Sequence, residues 1–205
     1  MNFKQIKKDI TPMYEGPHRN YHTMEHIDHM LQLFNHNNLA IYNHDIVHLA
    51  ILFHDVIYNP HKTDNEIESV SFFNDYIREQ QDILKLSEHA LEMLWGWVSV
   101  FILATIHHHT PDKQSMPASL VSDLEHFLDM DMAILGEDKT TFDKYEDNIR
   151  REYFFVPIDV YKTERAKILQ SFLNNEFIYN APVFRKKYEA SARKNIKGLI
   201  TTLGK

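Results

Sequence analysis

The chain has 205 residues, of which 43% are hydrophobic and 12% aromatic, enough to bury a sizeable core. Its 29 acidic and 22 basic residues give a formal net charge of -7, which argues against a surface built mainly to bind nucleic acid or anionic membranes. The chain contains no cysteine, so disulfides, thiolate zinc sites and cysteine nucleophiles are excluded, and any metal must be held by His, Asp or Glu. We find neither a signal-peptide pattern nor an apolar run of about 18 residues, and therefore expect a cytoplasmic protein.

Hydrophobic periodicity predicts an all-α fold, with almost no strand-like alternation. Most of the Pro and Gly residues lie between segments of 3.6-residue periodicity and separate them. In chain order, the predicted helices cover about 2–9, 20–37, 43–57, 64–84, 88–109, 119–135, 138–153, 158–175 and 182–203. Asn43 and Ser87 are predicted helix N-caps. We expect a single domain over residues 1–205, built as one helical bundle.

The predicted helix over 20–37 carries the histidine-rich stretch "GPHRNYHTMEHIDHM". At about 100° per residue, its apolar stripe consists of Ile27, Met30, Leu31 and Phe34. His26 lies on the edge of this stripe, and His22 stands one turn earlier at its rim. The histidines predicted to face solvent are His18, His29 and His36.

The next predicted helix, "DIVHLAILFHDVIYNP", is apolar almost all the way round and should be buried on most sides. The pair His54 and Asp55 lies in its last turns, where two ionisable groups are costly unless they are paired or bound to a metal. A His-Asp hydrogen bond at a helix end and a metal site are both consistent with this pattern. His48, about 120° away from His54, is more simply a core or groove histidine.

Two later helices each place one ionisable residue on an apolar face. In "VSDLEHFLDMDMAILG", Asp131 lies in the middle of that face, whereas Asp123, Glu125 and Asp129 are predicted to lie at the surface. In "VSVFILATIHHHTPD", His108 lies on the inward face, with His107 and His109 about 100° to either side. Histidines at a helix C-terminus also interact favourably with the helix dipole, so His108 has two interpretations.

His26, His54, Asp55 and Asp131 thus come from three helices, and each is a metal-ligand type at or in an apolar face. Two imidazoles and two carboxylates suit Mn²⁺, Fe²⁺, Co²⁺, Ni²⁺ or Zn²⁺ better than a dedicated Ca²⁺ cage. The sequence therefore predicts a site for a divalent metal ion.

The spacing of a first His, a His-Asp doublet and a distant Asp resembles the HD superfamily of metal-dependent phosphohydrolases. The chain is most similar to a mostly uncharacterised bacterial and phage group described as predicted metal-dependent HD-superfamily phosphohydrolases. That group shows R-x-Y-H-x-x-x-H, F-H-D-x-x-Y followed by D-N-E, A-T-x-H-H, L-D-x-D-L-x-I-L-G and I-R-x-E-Y. The chain reads "RNYHTMEH", "FHDVIYNPHKTDNE", "ATIHHH", "FLDMDMAILG" and "IRREY", and the resemblance covers about residues 15–200.

The resemblance implies an all-α, HD-type helical bundle in which the metal ligands are His26, His54, Asp55 and Asp131. The stretch "YHTMEH" also resembles the Y-H-N-x-x-H motif of cyclic nucleotide phosphodiesterases, with Thr23 in place of Asn. That similarity implies that His22 is the general acid. Some HD enzymes bind a second metal ion through further histidines, for which His108 and His61 are the candidates; the cofactor is then one ion or two, with Mg²⁺ as a further option.

The chemistry that follows is hydrolysis of a phosphate ester. A divalent ion lowers the pKa of a bound water from 15.7 to about 7, Asp55 could orient that water, and a protonated His22 could supply a proton to the leaving oxygen. Asp64 and Glu66 are candidates to accept hydrogen bonds from the ligand histidines, with helix capping favoured for Asp64. Arg19 is either a phosphate clamp or part of a structural salt bridge.

The leading hypothesis is a metal-dependent phosphohydrolase that acts on a small phosphorylated substrate, a nucleotide or nucleotide-like molecule. We expect neither a nucleic-acid polymer nor a membrane as partner, and a homodimer remains an option. The alternative is a non-catalytic metal- or nucleotide-binding sensor that retains the HD site. A helical scaffold for protein interactions would leave Asp131 and the His54-Asp55 pair without an explanation.

Overall fold

The all-α prediction is confirmed: in the computed structural model, which describes residues 1–36, 39–108 and 113–204, the regular elements are helices and no described residue lies in a strand. The helices are α1 (Phe3–Ile10), α2 (Met24–His36), α3 (His44–Phe53), α4 (Asn65–Glu79), α5 (Gln81–Leu84), α6 (Glu88–Ala104), α7 (Ala118–Met132), α8 (Lys139–Glu152), α9 (Ile158–Asn174) and α10 (Pro182–Leu203). Short 3-10 turns cover Thr11–Tyr14, Lys113–Ser115 and Ala133–Gly136.

The chain divides into two compact units, Met1–Leu128 and Asp129–Lys205. Helices α1 to α6 belong to the first unit and α8 to α10 to the second, while α7 begins in the first and ends in the second. The expectation of one domain over 1–205 stays a prediction.

Helix α3 is the centre of the first unit, because seven of its ten residues are buried. It packs against α2, α4 and α6. His48 on the same helix stacks on Phe3, with ring centroids 3.9 Å apart, and burial lowers the pKa of His48 to about 4. This is the groove histidine that the sequence predicts.

Three predicted helices are shorter than expected, and each difference concerns a candidate site residue. Helix α2 begins at Met24, where the backbone N–H groups of His26 and Ile27 donate to the carbonyl of Thr23, so His22 precedes the helix. Helix α3 ends at Phe53, which leaves His54 as its C-cap and Asp55 in the turn that follows. Helix α6 ends at Ala104, so His108 does not lie on it.

The end of α3 is held by a side chain from α4. Ser69 is fully buried; its hydroxyl accepts from the backbone N–H of Ile57, 3.1 Å away, and donates to the carbonyl of the same residue, 3.2 Å away. These bonds satisfy the backbone groups of Ile57, which lies beyond the end of the helix. The turn that carries Asp55 is therefore stabilised on its far side.

Two carboxylates that the sequence places at the surface are buried, so that prediction was wrong. Asp123, in the first unit, accepts hydrogen bonds from the backbone N–H groups of Tyr42 and Asn43 at 2.8 and 2.7 Å. Asp129, in the second unit, accepts from the backbone N–H groups of Asn180 and Ala181 at 2.8 and 2.6 Å. Burial is tolerated because each carboxylate satisfies otherwise unpaired backbone donors.

The second unit is held together by buried polar contacts as well as by its apolar core. Arg165 forms a two-point ion pair with Glu146, with Nε 3.0 Å from Oε2. Arg150 instead donates to the backbone carbonyls of Tyr153 and Val156. A Cβ at Gly136 would lie 2.6 Å from the Cβ of Tyr188, so the close packing there requires glycine.

None of the helices in the part of the chain that the structure describes has both the length and the apolar character needed to cross a membrane.

Candidate metal site

His54 is fixed in orientation by the end of α3. Its side chain is buried, and Nδ1 lies 3.1 Å from the backbone carbonyl of Ile51. A carbonyl only accepts hydrogen bonds, so Nδ1 of His54 carries the proton. When the ring is neutral, the Nε2 atom therefore holds the lone pair, which is the form in which histidine binds a metal.

His26 meets His54 across the space between α2 and α3. It lies in the first turn of α2 and is only 6% exposed. Its Nε2 atom is 3.3 Å from Nε2 of His54, and the ring centroids are 5.4 Å apart in an edge-on arrangement. Two imidazoles from two helices thus direct their Nε2 atoms to the same point.

Asp55 adds a carboxylate to this point. Its Oδ2 atom is 3.1 Å from Nε2 of His54 and 3.9 Å from Nε2 of His26. Burial alone raises the pKa of the Asp55 carboxyl, but attraction to His54, His22 and His26 outweighs it, so the pKa lies well below its usual value. The carboxylate is therefore ionised at neutral pH.

Asp131 lies in the last turn of α7. Phe127, one turn earlier on this helix, contacts the ring of His54 edge-on at 5.8 Å. His26 and His54, both in the first unit, are residues of a type that could hold a metal ion. The role of Asp131 as a metal ligand stays a prediction.

His22 lies beside the group, although it precedes α2 and the helical projection does not apply to it. Its ring stacks on Tyr58 at 4.1 Å, and its charge contributes to the low pKa of Asp55. Tyr58 follows the His-Asp doublet by three residues. The contact therefore places His22 against the segment that carries the carboxylate.

Arg19 binds three backbone carbonyls. The guanidinium donates from Nη1 to the carbonyls of His22 and Asp55, at 2.7 and 2.9 Å, and from Nη2 to that of Val56 at 3.0 Å. It is only 7% exposed and lies over the rings of Tyr14 and Tyr58. This geometry favours a structural role over a phosphate clamp: Arg19 joins the segment of His22 to that of Asp55.

His61 and His108 are the candidates for a second metal site. His61 is exposed, and its backbone N–H donates to the side chain of Asn59. His108 has a left-handed backbone with φ of 47°, so the helix face on which its prediction relied does not exist. Their proposed role in a second metal site stays a prediction, and so does a hydrogen bond from Asp64 or Glu66 to the ligand histidines.

Asp64 occupies the N-cap position of α4 but makes no capping hydrogen bond with its side chain, so the prediction that it caps the helix was wrong in that respect. Ser87 does cap α6, because its side chain accepts a hydrogen bond from the backbone N–H of Ala90 at 3.2 Å.

His18 is exposed, as predicted, and its Nε2 lies 2.8 Å from the carbonyl of Tyr58. The side chain of His36 and the whole of His109 lie outside the described residues.

The sequence analysis missed two aromatic residues next to the site. The hydroxyl of Tyr21 lies 3.0 Å from Nδ1 of His26, and Tyr58 stacks on His22. Both are in the quoted motifs, Tyr21 directly before His22 and Tyr58 directly before Asn59. Their position beside ligand candidates was the available signal, but the direction of a side chain outside a helix is not readable from spacing.

In comparisons with known proteins, the chain matches no family model, no curated protein and no solved structure. The resemblance to the HD superfamily therefore stays a prediction that rests on the five motifs.

Proposed function

We propose that this chain is a metal-dependent phosphohydrolase that cleaves a small phosphate ester, a nucleotide or nucleotide-like molecule. The observation that carries the proposal is the convergence of the Nε2 atoms of His26 and His54 with the carboxylate of Asp55, at 3.1 to 3.9 Å. In this proposal Asp131 would supply a second carboxylate.

The donor set fits a divalent transition metal. Atoms bound at about 2.1 Å to one ion lie about 3.0 to 3.4 Å apart, and the distances of 3.3 Å between the two Nε2 atoms and 3.1 Å from His54 to Asp55 match this spacing. Nitrogen and carboxylate donors without sulfur favour Mn²⁺, Fe²⁺, Co²⁺, Ni²⁺ or Zn²⁺, with Mg²⁺ as a further option. One ion is supported by this geometry, and a second ion at His61 or His108 remains part of the hypothesis.

When bound, a divalent ion would lower the pKa of a water molecule and neutralise charge on a phosphoryl group. The ionised carboxylate of Asp55 would orient the attacking water by accepting its proton in a hydrogen bond. His22 would donate a proton to the leaving oxygen, since it lies beside Asp55 and its ring is held by Tyr58. Arg19 would hold His22 and Asp55 next to each other, because its guanidinium binds the backbone carbonyls of both.

The test is metal analysis of the purified protein, combined with hydrolysis assays on nucleotides, other phosphate monoesters and phosphodiesters. Each assay is run with Mn²⁺, Fe²⁺, Co²⁺, Ni²⁺, Zn²⁺ and Mg²⁺. We expect one or two bound ions and hydrolysis of at least one nucleotide-like ester. The variants Asp55→Ala and Asp131→Ala should lose both metal and activity, because each removes a carboxylate ligand.

Asp143→Ala is the matched control, since Asp143 is an exposed carboxylate paired with Lys139 on α8. It should retain metal and activity. Full metal content in both Asp55→Ala and Asp131→Ala would contradict the site. Metal binding without hydrolysis of any ester would overturn the enzyme and favour the sensor.

A further inference from the structure

Tyr21 contacts one of the proposed metal ligands directly. Its hydroxyl oxygen lies 3.0 Å from Nδ1 of His26, and the two rings are 4.8 Å apart with a tilt of 40°. Nδ1 is the ring nitrogen on the far side from His54, toward which Nε2 points. The tyrosine therefore binds the histidine at the atom that is not directed to the metal site.

The backbone around Tyr21 holds its side chain in place. The carbonyl of Tyr21 accepts a hydrogen bond from the N–H of Thr23 at 2.7 Å, in the turn that leads into α2. The ring also packs edge-on against His22 at 5.1 Å. A half-buried tyrosine fixed in this way loses little further freedom when its hydroxyl binds His26.

The two ligand histidines are thus supported by different groups. Nδ1 of His54 is bound by the backbone carbonyl of Ile51, which no substitution of a side chain removes. Nδ1 of His26 is bound by a hydroxyl, which both donates and accepts hydrogen bonds. A group that binds the outer nitrogen of a ligand histidine sets the orientation of the ring and the nitrogen that carries the proton.

We propose that Tyr21 is a positioning residue for metal binding, which holds the His26 ring so that its Nε2 lone pair faces the ion. In the metal-bound state Nδ1 of His26 would carry the proton and donate a hydrogen bond to the Tyr21 oxygen, and Nε2 would bind the ion. The inference rests on the metal site of the proposed function and adds to it a residue outside the ligand set.

The test compares Tyr21→Phe with wild type and with Tyr76→Phe. Tyr76 is the matched control, because its hydroxyl also binds another side chain of the first unit, Asp9 at 2.8 Å, but not a ligand candidate. Dissociation constants for Mn²⁺, Co²⁺ and Zn²⁺ are measured by competition with a chromophoric chelator. We expect about 10- to 100-fold weaker binding in Tyr21→Phe and wild-type affinity in Tyr76→Phe.

The visible absorption spectrum of the Co²⁺-loaded protein gives a second readout, because it reports the geometry around the ion. We expect the Tyr21→Phe spectrum to differ in band position or intensity from that of wild type and Tyr76→Phe. A purely structural role of Tyr21 would lower the unfolding temperature without changing this spectrum.

A measurement on the wild-type protein keeps the inference testable if Tyr21→Phe does not fold. In the Zn²⁺-loaded protein, nitrogen-15 NMR should show His26 protonated at Nδ1, with a nuclear Overhauser contact from that proton to the Tyr21 ring. A His26 ring protonated at Nε2, or unchanged metal affinity and an unchanged spectrum in Tyr21→Phe, would overturn the role of Tyr21 alone. Wild-type protein that binds none of the three ions would overturn the proposed function as well.

Discussion

The His54 ring shows how one residue acquires a chemical role from its backbone surroundings. Because α3 ends at Phe53, the ring folds back to donate from Nδ1 to the Ile51 carbonyl, and this leaves Nε2 directed at His26 and Asp55. The same residue one turn earlier would lie among the buried apolar side chains of α3. The role of a histidine here depends on which ring nitrogen is already bound.

The proposed role of His22 as proton donor can be tested by substitution. His22→Ala should lower kcat by about 10²- to 10⁴-fold for alkyl phosphate esters. Their alkoxide is a poor leaving group, so it needs a proton in order to depart. The loss should be much smaller for nitrophenyl phosphate, whose leaving group departs as the anion. The measurement is kcat on both esters, together with metal content, which should stay at the wild-type value.

His89→Ala is the control for this experiment, because His89 is an exposed histidine on α6 and is not a candidate site residue. It should keep wild-type kcat on both esters. An equal loss of rate on the two esters in His22→Ala, or a loss of metal, would show that His22 is not the proton donor.

The elements place the site residues through their ends more than through their faces. His26 is in the first turn of α2, His54 caps the C-terminus of α3, and Asp131 is in the last turn of α7. At such ends the chain leaves helical geometry, and polar side chains can meet without breaking the helix hydrogen bonds. Buried carboxylates hold two of the connecting segments: Asp123 binds the backbone before α3, and Asp129 the backbone before α10.

Asp129→Ala tests the second of these contacts. The carboxylate is buried and accepts from two backbone N–H groups and from the amide of Asn180, so its removal leaves buried donors unpaired. We expect the free energy of unfolding to fall by about 3 kcal/mol, measured by urea denaturation. Asp143→Ala, which removes only an exposed ion pair, should cost no more than about 0.5 kcal/mol. A loss below about 1 kcal/mol in Asp129→Ala would contradict this role.

For the whole molecule, metal binding and folding should be coupled, because the proposed ligands come from separate helices. An ion that binds only the folded chain stabilises it by about 2.7 kcal/mol at a free concentration 100 times its dissociation constant. We therefore expect Mn²⁺ or Zn²⁺ to raise the unfolding temperature of chelator-treated protein, as measured by calorimetry.

The increase should be absent in His54→Gln and retained in His44→Gln, an exposed histidine at the start of the same helix. For each variant, the unfolding temperature with metal is compared with that of the same variant without metal. A general loss of stability caused by the substitution therefore does not affect the comparison. A metal-dependent increase of wild-type size in His54→Gln would exclude His54 as a ligand.

Much of the fold was predictable from the sequence, because apolar periodicity and Pro or Gly breakers act locally. Nine predicted helices correspond to observed ones, and the predicted bounds of α10 are the observed ones, Pro182–Leu203. Most errors lie at helix ends, and the predicted helix over 64–84 is two helices, α4 and α5. The segments around His22, Asp55 and His108 were extended as helix, although tertiary contacts such as the Ser69 hydroxyl at Ile57 compete there with helix propagation.

The sequence by itself determined the helical class and singled out His26, His54, Asp55 and Asp131, because ligand-type side chains in apolar patterns are costly without partners. The tertiary structure decided the rest. It buried Asp123 and Asp129 as acceptors for backbone N–H groups, directed Arg19 to carbonyls, and brought Tyr21 to His26. These outcomes depend on where a side chain points once the chain has left a helix, and on which unpaired backbone groups lie there. Neither property is encoded in residue spacing.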